Sequence, residues 1–142
     1  MDFPKTISLL HRKMNMELNE RLMDLGLSNA QSGLLKFLYN NGEMTQADLC
    51  KQIKIDKSTV AKMLSRLEND GFVVKRVNPE DTRSFLVSLT QKAIKIIPKI
   101  NMTLSEWTKD VTSSFSGEEK DFFYKMLDRV AHQATSIVSN NE

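Results

Sequence analysis

Hydrophobic residues recur at intervals of three and four positions through the first part of the chain. Within residues 5–25 the apolar positions at this spacing are Ile7, Leu10, Met14, Leu18, Leu22 and Leu25. They share one face of a helix, which Gly26 is placed to end. Ser28 and Gln31 have the spacing of a capping box ahead of a second apolar run, which an Asn-Asn-Gly turn signal closes. The pattern therefore predicts two successive helices.

Two further helices are predicted by their capping residues. Thr45, with Asp48 three positions later, begins a short third helix over residues 45–53, and Asp56 is a favourable N-cap for a fourth that Gly71 ends. The buried stripe of the fourth helix is expected to comprise Val60, Met63, Leu64 and Leu67. Two capped helices with a tight connection are typical of a helix-turn-helix.

The opposite face of the fourth helix is short-polar and basic. It carries Lys57, Ser58, Thr59, Lys62, Ser65, Arg66 and Asn69. Short hydroxyl and amide side chains let a helix lie close to base edges, and basic side chains reach phosphates. On a single helix the same pattern is more typical of an ordinary solvated face, so the elements that follow decide between the two interpretations.

A β-hairpin is predicted directly after this helix. Residues 72–77 and 85–89 are β-branched and aromatic runs joined by seven residues. A helix-turn-helix followed by a hairpin is a winged helix. Thr90 then caps a long helix over about residues 91–112, in which Pro98 should cause a kink. A capping box at residues 116–119 begins a last helix to about residue 139.

Apolar residues on more than one side of the first and last helices favour assembly of two copies of the chain. These positions include Leu9, Met16, Met23, Phe122, Phe123, Met126, Leu127, Val130, Ile137 and Val138. The predicted fold is mainly α with a small β-hairpin wing. Residues 1–27 form an N-terminal dimerisation helix, 28–90 a winged helix-turn-helix lobe and 91–142 C-terminal dimerisation helices. A two-fold dimer would set two copies of the fourth helix about 34–36 Å apart.

Composition narrows the classes of protein and partner. Cys50 is the only cysteine in 142 residues, so no intrachain disulfide can form. The start of the chain lacks a signal-type apolar core, and no run approaches the roughly 18 apolar residues of a membrane span. We therefore expect a cytoplasmic protein with no membrane partner. Residues 51–92 hold nine Lys and Arg against five Asp and Glu, which points to an anionic partner.

Residue sets typical of enzymes and metal sites do not stand out. There is no Ser/His/Asp or Cys/His set, glycine-rich phosphate loop or catalytic pair of acids. His11 and His132 lack the paired spacing of metal ligands. We expect no enzymatic activity, cofactor or metal. Cys50 is best explained as a small buried hydrophobe, with thiol redox sensing through Cys50 as an alternative.

Three segments resemble the MarR family of winged-helix transcription regulators. They are LGLSNAQSGLLKFL, TQADLCKQIKIDKSTVAKMLSRLENDGFVVKR and DTRSFLVSLT, and the resemblance covers nearly the whole chain. The Asp-x-Arg followed by a strand and Leu-Thr is its most specific part. Ala93 stands where the family usually has a glycine, a change that favours the helix. The resemblance implies a homodimeric transcriptional repressor that binds a pseudo-palindromic operator in double-stranded DNA.

The resemblance also implies roles for individual residues. The expected DNA-binding residues are Lys57, Ser58, Thr59, Lys62, Ser65, Arg66, Asp81 and Arg83. Arg83 matches the wing arginine that enters the minor groove, and Asp81 would hold it extended. Family pockets lie between the first helix and the lobe, so His11, Met14 and Phe37 are candidate pocket residues for a small aromatic or lipophilic effector that releases DNA. A winged-helix module that binds proteins rather than DNA stays an alternative.

Overall fold

The structure, a computed structural model, describes residues 1–139. The last three residues of the predicted 91–142 segment lie outside this part. Packing divides the chain into two compact units, Met1–Ser105 and Glu106–Glu142. This division concerns packing alone, so the predicted roles of residues 1–27, 28–90 and 91–142 stay predictions.

Within residues 1–139 the chain forms six α-helices, one short 3-10 helix and three β-strands. The helices are α1 (Phe3–Arg21), α2 (Asn29–Asn41), α3 (Gln46–Ile53), α4 (Lys57–Asn69), α5 (Gln91–Val111) and α6 (Gly117–Ser139). The strands are β1 (Met44–Thr45), β2 (Val73–Asn78) and β3 (Asp81–Leu89). This order of elements, a helix-turn-helix followed by a hairpin, confirms the predicted fold class of a mainly α protein with a small wing.

Capping side chains begin the helices where the sequence predicts. Ser28 Oγ accepts a hydrogen bond from the backbone N–H of Gln31 at 3.1 Å, and Gln31 Oε1 accepts one from the N–H of Ser28 at 2.9 Å. The same reciprocal pair joins Ser116 and Glu119 at the start of α6. Because these bonds use groups only three residues apart, they depend little on the rest of the fold.

The first helix ends earlier than predicted. The α-helical hydrogen bonds of α1 stop at Arg21, and a 3-10 helix follows over Met23–Leu25. Gly26 then takes a left-handed conformation with φ of 72°, which glycine adopts without steric cost. The apolar pattern predicted a single helix to Leu25 because it includes Leu22, which is fully buried. Burial of a side chain does not reveal whether the backbone around it is α-helical or 3-10.

The wing differs from the predicted hairpin in the length of its loop. Strand β3 begins at Asp81 and β2 extends to Asn78, so two residues rather than seven connect the strands. The pairing is antiparallel, with Val73 opposite Leu89 and Lys75 opposite Val87. A third strand, β1, pairs with β3 on its other side and was not predicted. The predicted kink of α5 at Pro98 stays a prediction, since the helix continues through this residue.

The core of the Met1–Ser105 unit is made mainly of leucine, isoleucine and valine side chains from α1 to α5 and from the hairpin. Its fully buried members include Leu22, Leu35, Leu49, Val60, Leu64, Leu67, Val73, Val87 and Ile100. The predicted stripe of α4 is therefore confirmed at three of four positions, whereas Met63 is half-buried. This core holds α4 with its polar face outward.

In the Glu106–Glu142 unit, the end of α5 is followed by α6. Phe115 and Phe123 make an edge-to-face contact with ring centroids 5.5 Å apart. Thr112 is buried, and its hydroxyl donates to the carbonyl of Thr108 at 2.7 Å. Much of the apolar surface of α6 is exposed, including Phe122 at 65%.

Candidate nucleic-acid interface

The N-terminus of α4 is organised by the carboxylate of Asp56. Its Oδ1 accepts hydrogen bonds from the N–H of Thr59 at 2.9 Å and from Ser58 Oγ at 2.6 Å. Its Oδ2 accepts from Thr59 Oγ1 at 2.7 Å. These bonds stabilise the ionised carboxylate and hold the pKa of Asp56 well below its ordinary value. Sequence reasoning identified Asp56 as a helix cap but not as the residue that orients Ser58 and Thr59.

The bonds to Asp56 also define what Ser58 and Thr59 offer to a partner. Each hydroxyl hydrogen is already donated to the carboxylate. The remaining capacity of each oxygen is its lone pairs. The two residues can therefore accept hydrogen bonds from a partner, and the methyl group of Thr59 can make apolar contact.

The basic residues of α4 differ in whether their side chains pair with other residues of the chain. Lys57 and Lys62 are exposed and have no ion-pair partner among residues 1–139. Arg66 Nε donates to Asp70 Oδ2 at 3.3 Å, one turn along the same helix. Arg66 also lines a groove of about 410 Å³ with Ser28 and Gln31 at the start of α2. Lys57 and Lys62 are thus the cations on α4 that are most available to phosphates.

The wing arginine is held by its neighbouring acid. Asp81 Oδ1 accepts hydrogen bonds from the backbone N–H of Arg83 at 3.1 Å and from Arg83 Nε at 3.2 Å. The Arg83 side chain is nevertheless 90% exposed. The spacing Asp-x-Arg is thereby explained locally: the acid bonds both the main chain and the side chain of the residue two positions on.

Two further residues, which the sequence analysis missed, shape the tip of the wing. Asn78 Oδ1 accepts from the N–H of Glu80 at 3.1 Å, and Asn78 Nδ2 donates to Ser84 Oγ at 3.1 Å. Ser84 Oγ in turn donates to the carbonyl of Asp81 at 3.1 Å. The Asn-Pro pair at the start of the turn was the signal that could have identified this arrangement.

The base of the wing is fixed by an ion pair. Arg76 Nη2 donates to Glu43 Oε1 at 2.6 Å, and Arg76 Nε donates to Oε2 at 3.2 Å. The Arg76 guanidinium lowers the pKa of Glu43, and Glu43 raises that of Arg76. The pair joins β2 to the residue before β1, and nothing in the local sequence indicated it because 33 positions separate the partners.

Residues from α3, α4 and the wing line one cavity of about 710 Å³. Its walls include Cys50, Lys57, Lys75, Arg83 and Phe85. The cavity brings together two of the predicted DNA-binding residues, Lys57 and Arg83. Cys50 is 8% exposed, as expected for a small buried hydrophobe.

The predicted effector residues lie elsewhere. His11 is exposed, and Met14 and Phe37 are half-buried; none of the three lines the cavity beneath the wing or the groove beside Arg66. His11 Nε2 lies 3.1 Å from Asn15 Nδ2, and Asn15 Oδ1 accepts from Asn29 Nδ2 at 2.7 Å. His11 therefore lies at the end of a chain of polar contacts between α1 and α2, and its place in a ligand pocket stays a prediction.

Residues 1–139 contain no group of three or more His, Cys, Asp or Glu side chains that could hold a metal ion. Among the helices of the same residues, none combines the length and the hydropathy needed to cross a bilayer.

Two curated relatives are similar to this chain in sequence. The HTH-type transcriptional regulator YdgJ of Bacillus subtilis (strain 168), whose name marks it as uncharacterized, is 32% identical over 112 residues, which are 79% of this chain and 68% of YdgJ. The HTH-type transcriptional repressor YetL of the same organism is 28% identical over 120 residues, 83% of this chain and 72% of YetL. The sequence profile of the MarR family matches residues 25–84.

Solved structures match over nearly the full length. A crystal structure of MarR aligns with 99% of this chain over 95% of the MarR chain, with a TM-score of 0.90 and 26% identity. A mutant of MarR from E. coli in complex with operator DNA has a TM-score of 0.80 and 25% identity, and it covers 92% of this chain and 94% of its own. The fold and the exposed polar face of α4 define a winged-helix, DNA-binding transcription regulator. The chain belongs to the MarR family.

Proposed function

We propose that this protein is a transcriptional repressor that binds a pseudo-palindromic operator as a homodimer. In this proposal α4 enters the major groove and the wing contacts the adjacent minor groove. The observation that carries it is the arrangement of exposed polar and basic side chains on α4, together with an arginine on the wing whose side chain is 90% exposed. The repressor named YetL and the operator complex of MarR support the same assignment.

Residues of α4 have distinct proposed roles. Ser58, Thr59 and Ser65 lie close to base edges, where Ser58 and Thr59 accept hydrogen bonds because their own hydrogens are donated to Asp56. Lys57 and Lys62 neutralise phosphates. Phosphate contacts fix the position of the helix on the duplex, and the contacts to bases carry the sequence preference.

Arg66 and the wing complete the proposed interface. Arg66 reaches a phosphate beside α2, since it lines the groove at the start of that helix. Arg83 enters the minor groove, where a narrow groove concentrates negative potential. Asp81 limits the conformations of Arg83 before DNA binds, through the two bonds of its Oδ1.

Exposed apolar side chains on α1 and on α6 support dimerisation. On α1 they include Phe3, Ile7, Leu9, Leu10 and Met16, each at least 39% exposed. On α6 they include Phe122, Leu127, Val130 and Ile137, each at least 41% exposed. A monomer would leave these surfaces in water, whereas a two-fold dimer buries them and presents two copies of α4 to successive turns of the duplex.

Release by a small aromatic or lipophilic effector is part of the proposal, with His11, Met14 and Phe37 beside the ligand. A hundredfold release requires about 2.7 kcal/mol of differential affinity between the free and DNA-bound forms. Because coupling is reciprocal, operator DNA weakens ligand binding by the same factor. Calorimetry of salicylate with free and operator-bound protein tests this step, and equal affinities would exclude salicylate as an effector of this kind.

DNA binding by these residues is tested with duplexes selected from random sequence. Fluorescence anisotropy of the selected duplex and of a scrambled one, titrated with protein over about 50–200 mM salt, gives both specificity and the number of phosphate contacts. Lys62→Ala should reduce the salt dependence, and Lys95→Ala, an exposed lysine on α5, is the matched control. A protein that selects no duplex and binds all DNA weakly would favour the protein-interaction module instead.

A further inference from the structure

Three carbonyl groups directly after the C-terminal end of α4 take no part in the hydrogen bonds of that helix. The N–H groups that follow Asn69 close the helix, with Asp70 N bonded to Arg66 O at 2.9 Å and Phe72 N bonded to Leu67 O at 2.8 Å. Gly71 has a φ of 80°, which turns the chain sharply toward β2. The carbonyl oxygens of residues 70, 71 and 72 follow the end of α4, and each needs a hydrogen-bond donor from elsewhere in the chain.

Thr90, directly before α5, and Lys92, in the first turn of α5, supply all three donors. Lys92 Nζ donates to the carbonyl of Asp70 at 2.6 Å. Thr90 Oγ1 donates to the carbonyl of Gly71 at 2.6 Å, and Thr90 N donates to that of Phe72 at 3.0 Å. Each of the three carbonyls in the segment between α4 and β2 is thus bonded to α5 or to its N-cap residue.

Both residues are also held in place themselves. Thr90 Oγ1 lies 3.3 Å from the N–H of Ala93 and so caps α5, and Ala93 is fully buried. The ammonium group of Lys92 lies 4.4 Å from the ring centroid of Phe72, which is 3% exposed. An ammonium over an aromatic face is attracted by the ring quadrupole. The ammonium group of Lys92 therefore makes its contacts within the protein, unlike those of Lys57 and Lys62.

From these contacts we infer that Thr90 and Lys92 are positioning residues for DNA binding, which fix the angle of α4 without contacting DNA. The inference rests on the proposed role of α4. With 13 residues, α4 is about 20 Å long, so a tilt of about 5° at its C-terminal end moves Lys57 by about 1.7 Å. A displacement of this size breaks hydrogen bonds to base edges, whereas flexible lysine side chains still reach phosphates.

This difference between base and phosphate contacts gives the inference a specific signature. Loss of the clamp at residues 90 and 92 should lower specific affinity and leave non-specific affinity nearly unchanged. A lysine that contacts a phosphate behaves differently, because its removal weakens binding to all sequences and reduces the salt slope by about 0.9.

The first experiment replaces Lys92 while keeping its aliphatic stem. In anisotropy titrations, Lys92→Met should lose about five- to twentyfold in affinity for the selected operator, with non-specific affinity and salt slope equal to those of Lys95→Met. Lys95 is an exposed lysine on the same helix. A reduced salt slope with uniform weakening, or an operator affinity equal to that of the Lys95→Met control, would overturn the inference.

A second pair of variants separates positioning from folding. Thr90→Ser retains the hydroxyl and should bind the operator nearly as the parent does, whereas Thr90→Val should show the same selective loss as Lys92→Met. The amide resonances of Ser58 and Thr59 should shift in Lys92→Met and Thr90→Val but not in Lys95→Met, although they lie at the opposite end of α4. If Thr90→Val and Lys92→Met both unfold at 25 °C, the contacts serve folding alone and the inference is wrong.

The controls also distinguish failure of this inference from failure of the proposed function. If the parent binds a selected duplex no better than a scrambled one, the proposed function fails and the inference with it. If the parent is specific and Arg83→Ala weakens it, but Lys92→Met and Thr90→Val do not, the function stands and only the positioning role is refuted.

Discussion

Replacement of Arg83 by alanine should weaken operator binding without affecting the fold. The side chain is 90% exposed, so its removal uncovers almost no apolar surface. Its pair with Asp81, Nε to Oδ1 at 3.2 Å, lies in water, and exposed pairs contribute under about 1 kcal/mol to stability. In the minor groove the same guanidinium is worth about 1–3 kcal/mol, which corresponds to a roughly 5- to 150-fold loss of affinity.

The assay compares parent, Arg83→Ala and Arg83→Lys by anisotropy on the operator, with urea unfolding of each. Arg83→Lys keeps the charge but removes the planar fork, so we expect an intermediate affinity. Unfolding free energies should agree within about 0.5 kcal/mol. Parental affinity of Arg83→Ala at physiological salt would show that the wing does not contact DNA, and a large loss of stability would show that Arg83 is structural.

Three further predictions concern phosphate contacts, assembly and pH. Lys62→Ala should weaken specific and non-specific binding alike and lower the salt slope by about 0.9; an unchanged slope would remove Lys62 from the interface. Sedimentation of the parent at low micromolar concentration should give a dimer. Phe122→Glu places a charge among the exposed apolar residues of α6 and should give a monomer. A parent that sediments only as a monomer would contradict the proposed dimer. The pKa of Asp56 is lowered by the hydrogen bonds from Ser58 and Thr59, so the unfolded chain takes up this proton first as pH falls. Urea unfolding should therefore show the parent losing more stability than Asp56→Asn below about pH 4, and parallel pH profiles would refute the assignment.

The helix-turn-helix was predictable because its signals are local. Caps such as Ser28 with Gln31 use groups within one turn of a helix, and the buried stripe of α4 follows from helical periodicity. The exposure of Lys57, Ser58 and Lys62 follows from the same periodicity. The structure confirms these features.

The tip of the wing was less predictable because the strand ends there are polar and depend on pairing. Asp81 and Arg83 belong to β3 through backbone hydrogen bonds with β2, and an exposed strand tip needs no apolar alternation. Strand β1 has only two residues and forms by pairing with β3 about 40 positions later. Other contacts between residues far apart in the sequence include Glu43 with Arg76 and Lys92 with Asp70. Such contacts produce no periodic pattern from which they could be predicted.

The most direct test of the account is one comparison of affinities at physiological salt. Parent protein is titrated into a duplex selected from random sequence and into a scrambled duplex of the same composition, with the stoichiometry read from the same curves. We expect two protomers per duplex, half-sites about 10 base pairs apart and at least about a thousandfold preference for the selected duplex. Equal affinity for the two duplexes would contradict it.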